Sequence, residues 1–101
     1  MLYNNLGQGE GFEFLKEMPP VGSTVVFHAP CGTLCKVIIS EPYLINLHRG
    51  VHPALTEDKL VWVVNFYYLG DEKKTVSHTY VTDVSRQIES GVVLPPRPKY
   101  L

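Results

Sequence analysis

The segment KLVWVVNFYYL, residues 59–69, limits the possible folds more than any other part of the chain. Read as a strand, it places Leu60, Trp62, Val64, Phe66 and Tyr68 on one face. Val61, Val63, Tyr67 and Leu69 fall on the other, with Asn65 and Lys59 as its polar members. A strand apolar on both faces belongs at the centre of a sheet, or where one sheet face meets the core and the other meets something else. Each aromatic side chain can bury about 150–250 Å², worth several kcal/mol at roughly 25 cal/mol per Å², so one face suffices to make a core. If the rest of the chain leaves the second face bare, Val61, Val63 and Tyr67 form a patch of the kind that marks an interaction surface. A barrel that curls over both faces is the alternative.

With 101 residues and 45% hydrophobic content, the chain suits one compact domain. Residues 1–20 read as an N-terminal arm. Gly7, Gly9 and Gly11 mark a flexible linker, and Phe12, Leu15 and Met18, three apart, fit a short helical turn stopped at Pro19 and Pro20. Residues 21–91 read as a β core with a short helix. Val21, Ser23, Val25 and Phe27 alternate with Thr24, Val26 and His28, and a turn of roughly four or five residues around HAPCG leads into TLCKVIIS, residues 33–40. There Thr33, Cys35, Val37 and Ile39 look like the core side. YLINL, residues 43–47, is a third strand, HRGVHPALTED, residues 48–58, a long connecting loop of a length that is often functional, and KKTVSHTYV a final strand. Thr82 or Asp83 can cap a helix through Ser90, with Val84 and Ile88 facing inward and Gly91 as the stop. Residues 92–101, VVLPPRPKYL, read as a proline-rich extended tail.

The expected fold is therefore mainly β: a small antiparallel sheet or partly open barrel of about five strands, with an N-terminal arm and a short C-terminal helix. The hairpin over residues 22–40 resembles the opening of SH3-like barrels, in which a glycine-initiated strand of β-branched residues leads through a turn into a second strand. That resemblance implies a barrel-like fold and assigns no functional residue.

Nine Lys and Arg against ten Asp and Glu give a formal charge of −1, with no basic run to neutralise phosphates, which argues against nucleic acid as partner. The start of the chain has neither the basic residues nor the apolar run of a signal peptide. No segment approaches the roughly 20 apolar residues of a membrane span. The expectation is a soluble, cytoplasmic protein whose two cysteines are thiols.

The stretch FHAPCGTLCKV places His28, Cys31 and Cys35 close together, and zinc bound by this set would draw its second pair from His48 and His52. The simpler reading makes Cys35 a small hydrophobe and His28 a solvated side chain, with no metal or cofactor. Cys31 as nucleophile with His28 as base lacks an oxyanion donor or orienting acid nearby. The neighbours Glu57 and Asp58 point apart on an extended chain, and GQGEG lacks the preceding strand and the Lys-Ser or Lys-Thr ending of a phosphate loop.

By elimination the chain reads as a non-enzymatic protein-binding module, its partner another protein or a second copy in a homodimer. Trp62, Tyr67 and Tyr68 are the candidate anchors and Arg49 a candidate charged contact. Small neutral domains of this sort occur among phage or mobile-element accessory proteins that inhibit a host protein complex. Two other readings remain: a single-stranded nucleic-acid binder, with bases stacked on strand aromatics and Lys36, Lys59, Lys73 and Lys74 tracking phosphates, or a zinc-stabilised domain. The tail LPPRPKY, with Arg97, Lys99 and Tyr100, resembles proline-rich ligands of SH3 or WW grooves in a general way but completes neither usual SH3 spacing of the basic residue, and a plain unstructured end is the favoured reading.

Overall fold

The computed structural model describes residues 9–96. The strands are β1 (Thr24–Ala29), β2 (Gly32–Ile38), β3 (Tyr43–Leu47), β4 (Lys59–Tyr68), β5 (Ser77–Tyr80) and β6 (Val92–Leu94). Helix α1 (Val81–Ser90) separates the last two, and a 3-10 helix (Phe12–Glu17) precedes β1. The molecule is mainly β, and its named strands pair antiparallel in one open sheet, β3-β4-β2-β1-β6, with β5 added to β4.

The greasy segment 59–69 is central, as its two apolar faces require. Val63 pairs with both Tyr43 and Tyr80, and Phe66 with both Ile38 and Ser77, so β2 and β3 share one edge of β4 while β5 takes the other. Between those pairs the four residues 39–42 stand opposite only Val64 and Asn65. Segments β2 and β3 are thus one strand interrupted by a bulge, which Pro42 tolerates because a bulge needs no ladder donor there. The Ser40 hydroxyl fills part of the gap, accepting the Asn65 N–H at 2.9 Å.

Glycine closes the remaining stretch of β4. Glu10 bridges Val61 in parallel, its N–H donating to the Leu60 carbonyl at 2.9 Å and its carbonyl accepting the Trp62 N–H at 3.0 Å. Gly9 and Gly11 flank it at φ 71° and 93°, left-handed values that disfavour a side chain. A Cβ on Gly9 would stand 2.6 Å from Leu44 Cδ1 and 3.3 Å from the Trp62 ring. The part of GQGEG expected as flexible linker is here ordered backbone packed on an aromatic ring.

The main core cluster lies on one side of the sheet. Val25 and Phe27 of β1, Ile38 of β2, and Val64 and Phe66 of β4 meet Val81 and Val84 of α1, with Phe14 and Leu15 of the 3-10 helix and Met18 just after it packed against them. Positions 81, 84 and 88 recur at helical spacing, which turns one stripe of α1 onto the sheet. The helix begins a residue or two before the expected caps: Tyr80 is its N-cap, with no side-chain cap bond. Ser85 Oγ donates to Glu17 at 2.8 Å and ties the two helices. Gly91 ends α1 where a Cβ would lie 2.0 Å from the Val26 carbonyl oxygen, so the return onto β1 needs glycine for space.

That return forms β6, in place of the extended tail expected there: Val92, Val93 and Leu94 pair with Val26, Val25 and Thr24. The other departures are local. The β1–β2 turn is two residues, Pro30 and Cys31, since Ala29 pairs with Gly32. The expected strand from residue 73 starts only at Ser77. Its first half is a turn held by the Asp71 carboxylate, which accepts the N–H groups of Lys73 and Thr75 at 3.0 Å each. Among the described residues no helix is long and apolar enough to cross a membrane. Arg97, Lys99 and Tyr100 lie outside the described residues.

Candidate binding surface

Cross-strand partners share a face, so the register sorts the side chains of β4 onto two surfaces. Trp62, Val64, Phe66 and Tyr68 stand on the core side. Val61, Val63 and Tyr67 stand on the outer face with Ile45, Tyr43, Tyr80 and Val37.

The outer face is divided. Towards the 48–58 loop it is covered, and Val61 and Val63 are 1% and 0% exposed. Val63 lies between the cross-strand neighbours Tyr43 and Tyr80, and Tyr43 reaches along β4 to donate its hydroxyl proton to Asn65 Oδ1 at 2.7 Å. The expected patch of Val61, Val63 and Tyr67 is therefore reduced to Tyr67, because flanking tyrosines and the loop shield the two valines.

Towards the β1–β2 hairpin the same face is open. One row across it reads Leu94, Thr24, Val37, Tyr67 and the next Val92, Val26, Cys35, with Leu69 beside Cys35 through a 2.9 Å bond from the Leu69 N–H to the Cys35 carbonyl. Val92, Leu94 and Leu69 are 57%, 49% and 57% exposed, while Val26, Cys35 and Tyr67 are half-buried. Four strands about 4.8 Å apart and two to three rows about 7 Å apart span roughly 300 Å² of flat, apolar sheet. The strand residues on this half include no carboxylate, and the Lys74 ammonium lies 5.8 Å from the Tyr67 ring centre.

The four expected contact residues do not converge. Tyr67 is on the open half. Trp62 is half-buried on the core side under Gly9, and Tyr68, on the same side, stands edge-on to Phe66 with ring centres 5.1 Å apart. Arg49 lies in the long loop, where its N–H donates to Asp58 at 2.9 Å. Val92 and Leu94 stand on this face in addition to the expected residues, and the run Val-Val-Leu before two prolines is the short strand signal that marks them.

The zinc set is also dispersed. His28 and Cys31 sit at the hairpin, with His28 Nδ1 3.2 Å from Thr33 Oγ1, and Cys35 points to the outer face, opposite the core side expected for it. His48 and His52 sit in the loop beyond the far end of β3, a separation on the order of 45 Å along the interrupted strand. Among the described residues no group of three or more His, Cys, Asp or Glu side chains is placed to hold a metal ion.

Electrostatics removes cations from the nucleic-acid reading. Lys36 faces the core at 5% exposure, its ammonium 4.6 Å from the Phe66 ring centre and 5.3 Å from that of Phe27. Burial holds its pKa below the usual lysine value, against an opposing pull from Asp83. Lys59 lies against the Glu10 carboxylate, whose negative charge opposes a phosphate there. Of the four lysines expected to track phosphates, Lys73 and Lys74 keep that freedom. The Asp58 carboxyl is held below the ordinary carboxylate range chiefly by the Arg49 N–H, and Asp71 by the N–H groups of Thr75 and then Lys73.

In comparison with known proteins, no family model, no curated protein and no solved structure matches this chain.

Proposed function

We propose that the protein is a non-enzymatic binding module that docks another protein on the open half of its outer sheet face. The observation that supports this reading is the apolar row from β6 to the end of β4, where Val92 and Leu69 are each 57% exposed beside half-buried Val26 and Cys35. A footprint of roughly 300 Å² is smaller than the about 800 Å² each partner gives to a standard interface, so this strip is the apolar centre of the contact. Tyr67 stands at its margin as the aromatic anchor, and Lys74 beside it favours a partner whose apolar element is flanked by an acidic residue. An inhibitor of a host protein complex, the more specific expectation from size and charge, would seat its target on this strip.

The test is the double variant Leu69→Asp with Val92→Asp, two exposed positions whose change leaves the core intact. A partner retained by the wild type, then purified and rebound directly, is expected to bind the variant about 100-fold more weakly, as for two lost contacts of about 1.4 kcal/mol each. Equal binding by a folded variant refutes the assignment. Sedimentation velocity shows whether the occupant is a second copy: a concentration-dependent dimer would then vanish in the variant.

A further inference from the structure

The long loop does more than shield β4. Between it and the sheet lies a concavity of about 420 Å³, within the 300–1,000 Å³ usual for small-ligand sites. Its floor is Val61 and Leu47, and its loop wall is Val51, Ala54 and Leu55. That wall is braced. Gly50 donates to the Leu55 carbonyl at 3.2 Å and Leu55 to that of His52 at 2.8 Å, while the Arg49 N–H to the Asp58 carboxylate joins the two ends of the loop.

Against this apolar lining stands a pair of opposite charges. Glu10 is held by its bridge to β4, and Lys59, the first residue of that strand, pairs with it; the Lys59 and Glu10 side chains are 46% and 37% exposed and so open to a ligand. The mutual contact leaves capacity on both, since an ammonium has three donors and a carboxylate about four acceptor sites. His52 adds a donor: its Nδ1 accepts the Ala54 N–H at 3.1 Å, which leaves the proton of the neutral ring on Nε2.

We propose that this concavity binds an α-amino acid with an apolar side chain, its carboxylate on Lys59, its ammonium on Glu10, and its side chain on Val51 and Leu55. A simple anion or cation would satisfy one member of the pair while competing with the other, whereas a zwitterion matches both at once. The site lies on the loop-covered half of the outer face, apart from the proposed docking strip.

The experiment is a titration of the ¹⁵N-labelled protein, following amide shifts with L-leucine and L-phenylalanine, and separately with N-acetyl-L-leucine, which lacks the ammonium, and isoamylamine, which lacks the carboxylate. Saturable shifts at Val51, Leu55 and Val61 are expected with the free amino acids. Affinity should be about tenfold lower for either truncated compound, the loss of one charge-assisted contact. Glu10→Gln and Lys59→Met should each weaken L-leucine by a similar factor in a protein whose remaining spectrum is unchanged, and the Leu69→Asp with Val92→Asp variant should bind it normally. Absence of saturable shifts, or equal affinity for all the compounds, overturns the proposal.

Discussion

Replacing Lys36 by methionine should make the protein more stable. The lysine ammonium sits on the core side of the sheet at 5% exposure, with two phenylalanine rings at 4.6 and 5.3 Å. Contacts of that kind contribute about 0.5–2 kcal/mol, whereas removing an ammonium from water costs several kcal/mol even after relaxation, and Asp83 recovers part of it from α1. Methionine keeps the length of the stem and gains sulfur–ring contacts of about 0.3–1.5 kcal/mol without the desolvation cost. The net expectation is about 1–2 kcal/mol of stabilisation near neutral pH, or roughly 4–8 °C in Tm for each kcal/mol in a domain of this size. The pH dependence supplies a second check. Since the folded-state pKa lies below the usual 10.5, the unfolded chain holds the extra proton between those two values, and wild-type stability rises with pH through that window. Urea unfolding at about pH 7 and about pH 9.5 should therefore show the advantage of Lys36→Met narrowing as pH increases. A methionine variant less stable than wild type near neutral pH, or a gap that widens with pH, would refute the reasoning and mean that the attraction to Asp83 outweighs the cost of burying the ammonium.

Gly91→Ala is expected to cost more than about 3 kcal/mol, because its Cβ would meet the Val26 carbonyl oxygen at 2.0 Å and the Gln87 carbonyl oxygen at 2.9 Å; a Tm within a few degrees of wild type would contradict this. Gly9→Ala, at φ 71° and 2.6 Å from Leu44 Cδ1, should lose about 1–2 kcal/mol and red-shift the fluorescence of Trp62 as the segment lifts from the indole; an unshifted spectrum would count against the packing described. The depressed pKa of Asp71 contributes stability that is complete above the ordinary carboxylate value of 3.8 and is lost as pH falls through the lower folded value. Asp71→Asn should lose less stability over that acidic window than wild type in urea titrations, and identical pH profiles would remove the Asp71 turn as the cause.

Local alternation makes β1 and β4 legible, because their faces carry unambiguous members: Val25 and Phe27 inward on β1, and two apolar rows on a strand paired at both edges. The same rule misassigns β2. There the row Cys35, Val37 looks more apolar than Leu34, Lys36, Ile38, yet the second is the core row, fixed by pairing of Leu34 with Phe27 and Ile38 with Phe66. A buried lysine is rare enough that sequence pattern alone rejects it. The strand β6 escapes notice for a different reason: three residues carry little periodicity, and their partner β1 lies far back in the chain, so only tertiary pairing reveals it. The open surface inherits both errors, since it is made of the misassigned row and the missed strand. Tyr67 and Leu69 are visible in the sequence because the alternation of the central strand is unambiguous.

The central strand also sets the order in which the sheet can be completed during synthesis. Segments β2 and β3 both await an edge that does not exist until residues 59–68 have left the ribosome, and β1 gains its second neighbour only with residues 92–94. Up to that point the nascent chain offers a hairpin and a solitary ribbon with unmatched amides, which is when it is most prone to pair with the wrong strand. The closing ladder, short and followed directly by Pro95 and Pro96, then finishes the sheet with a border that denies further strands an amide hydrogen at those two positions.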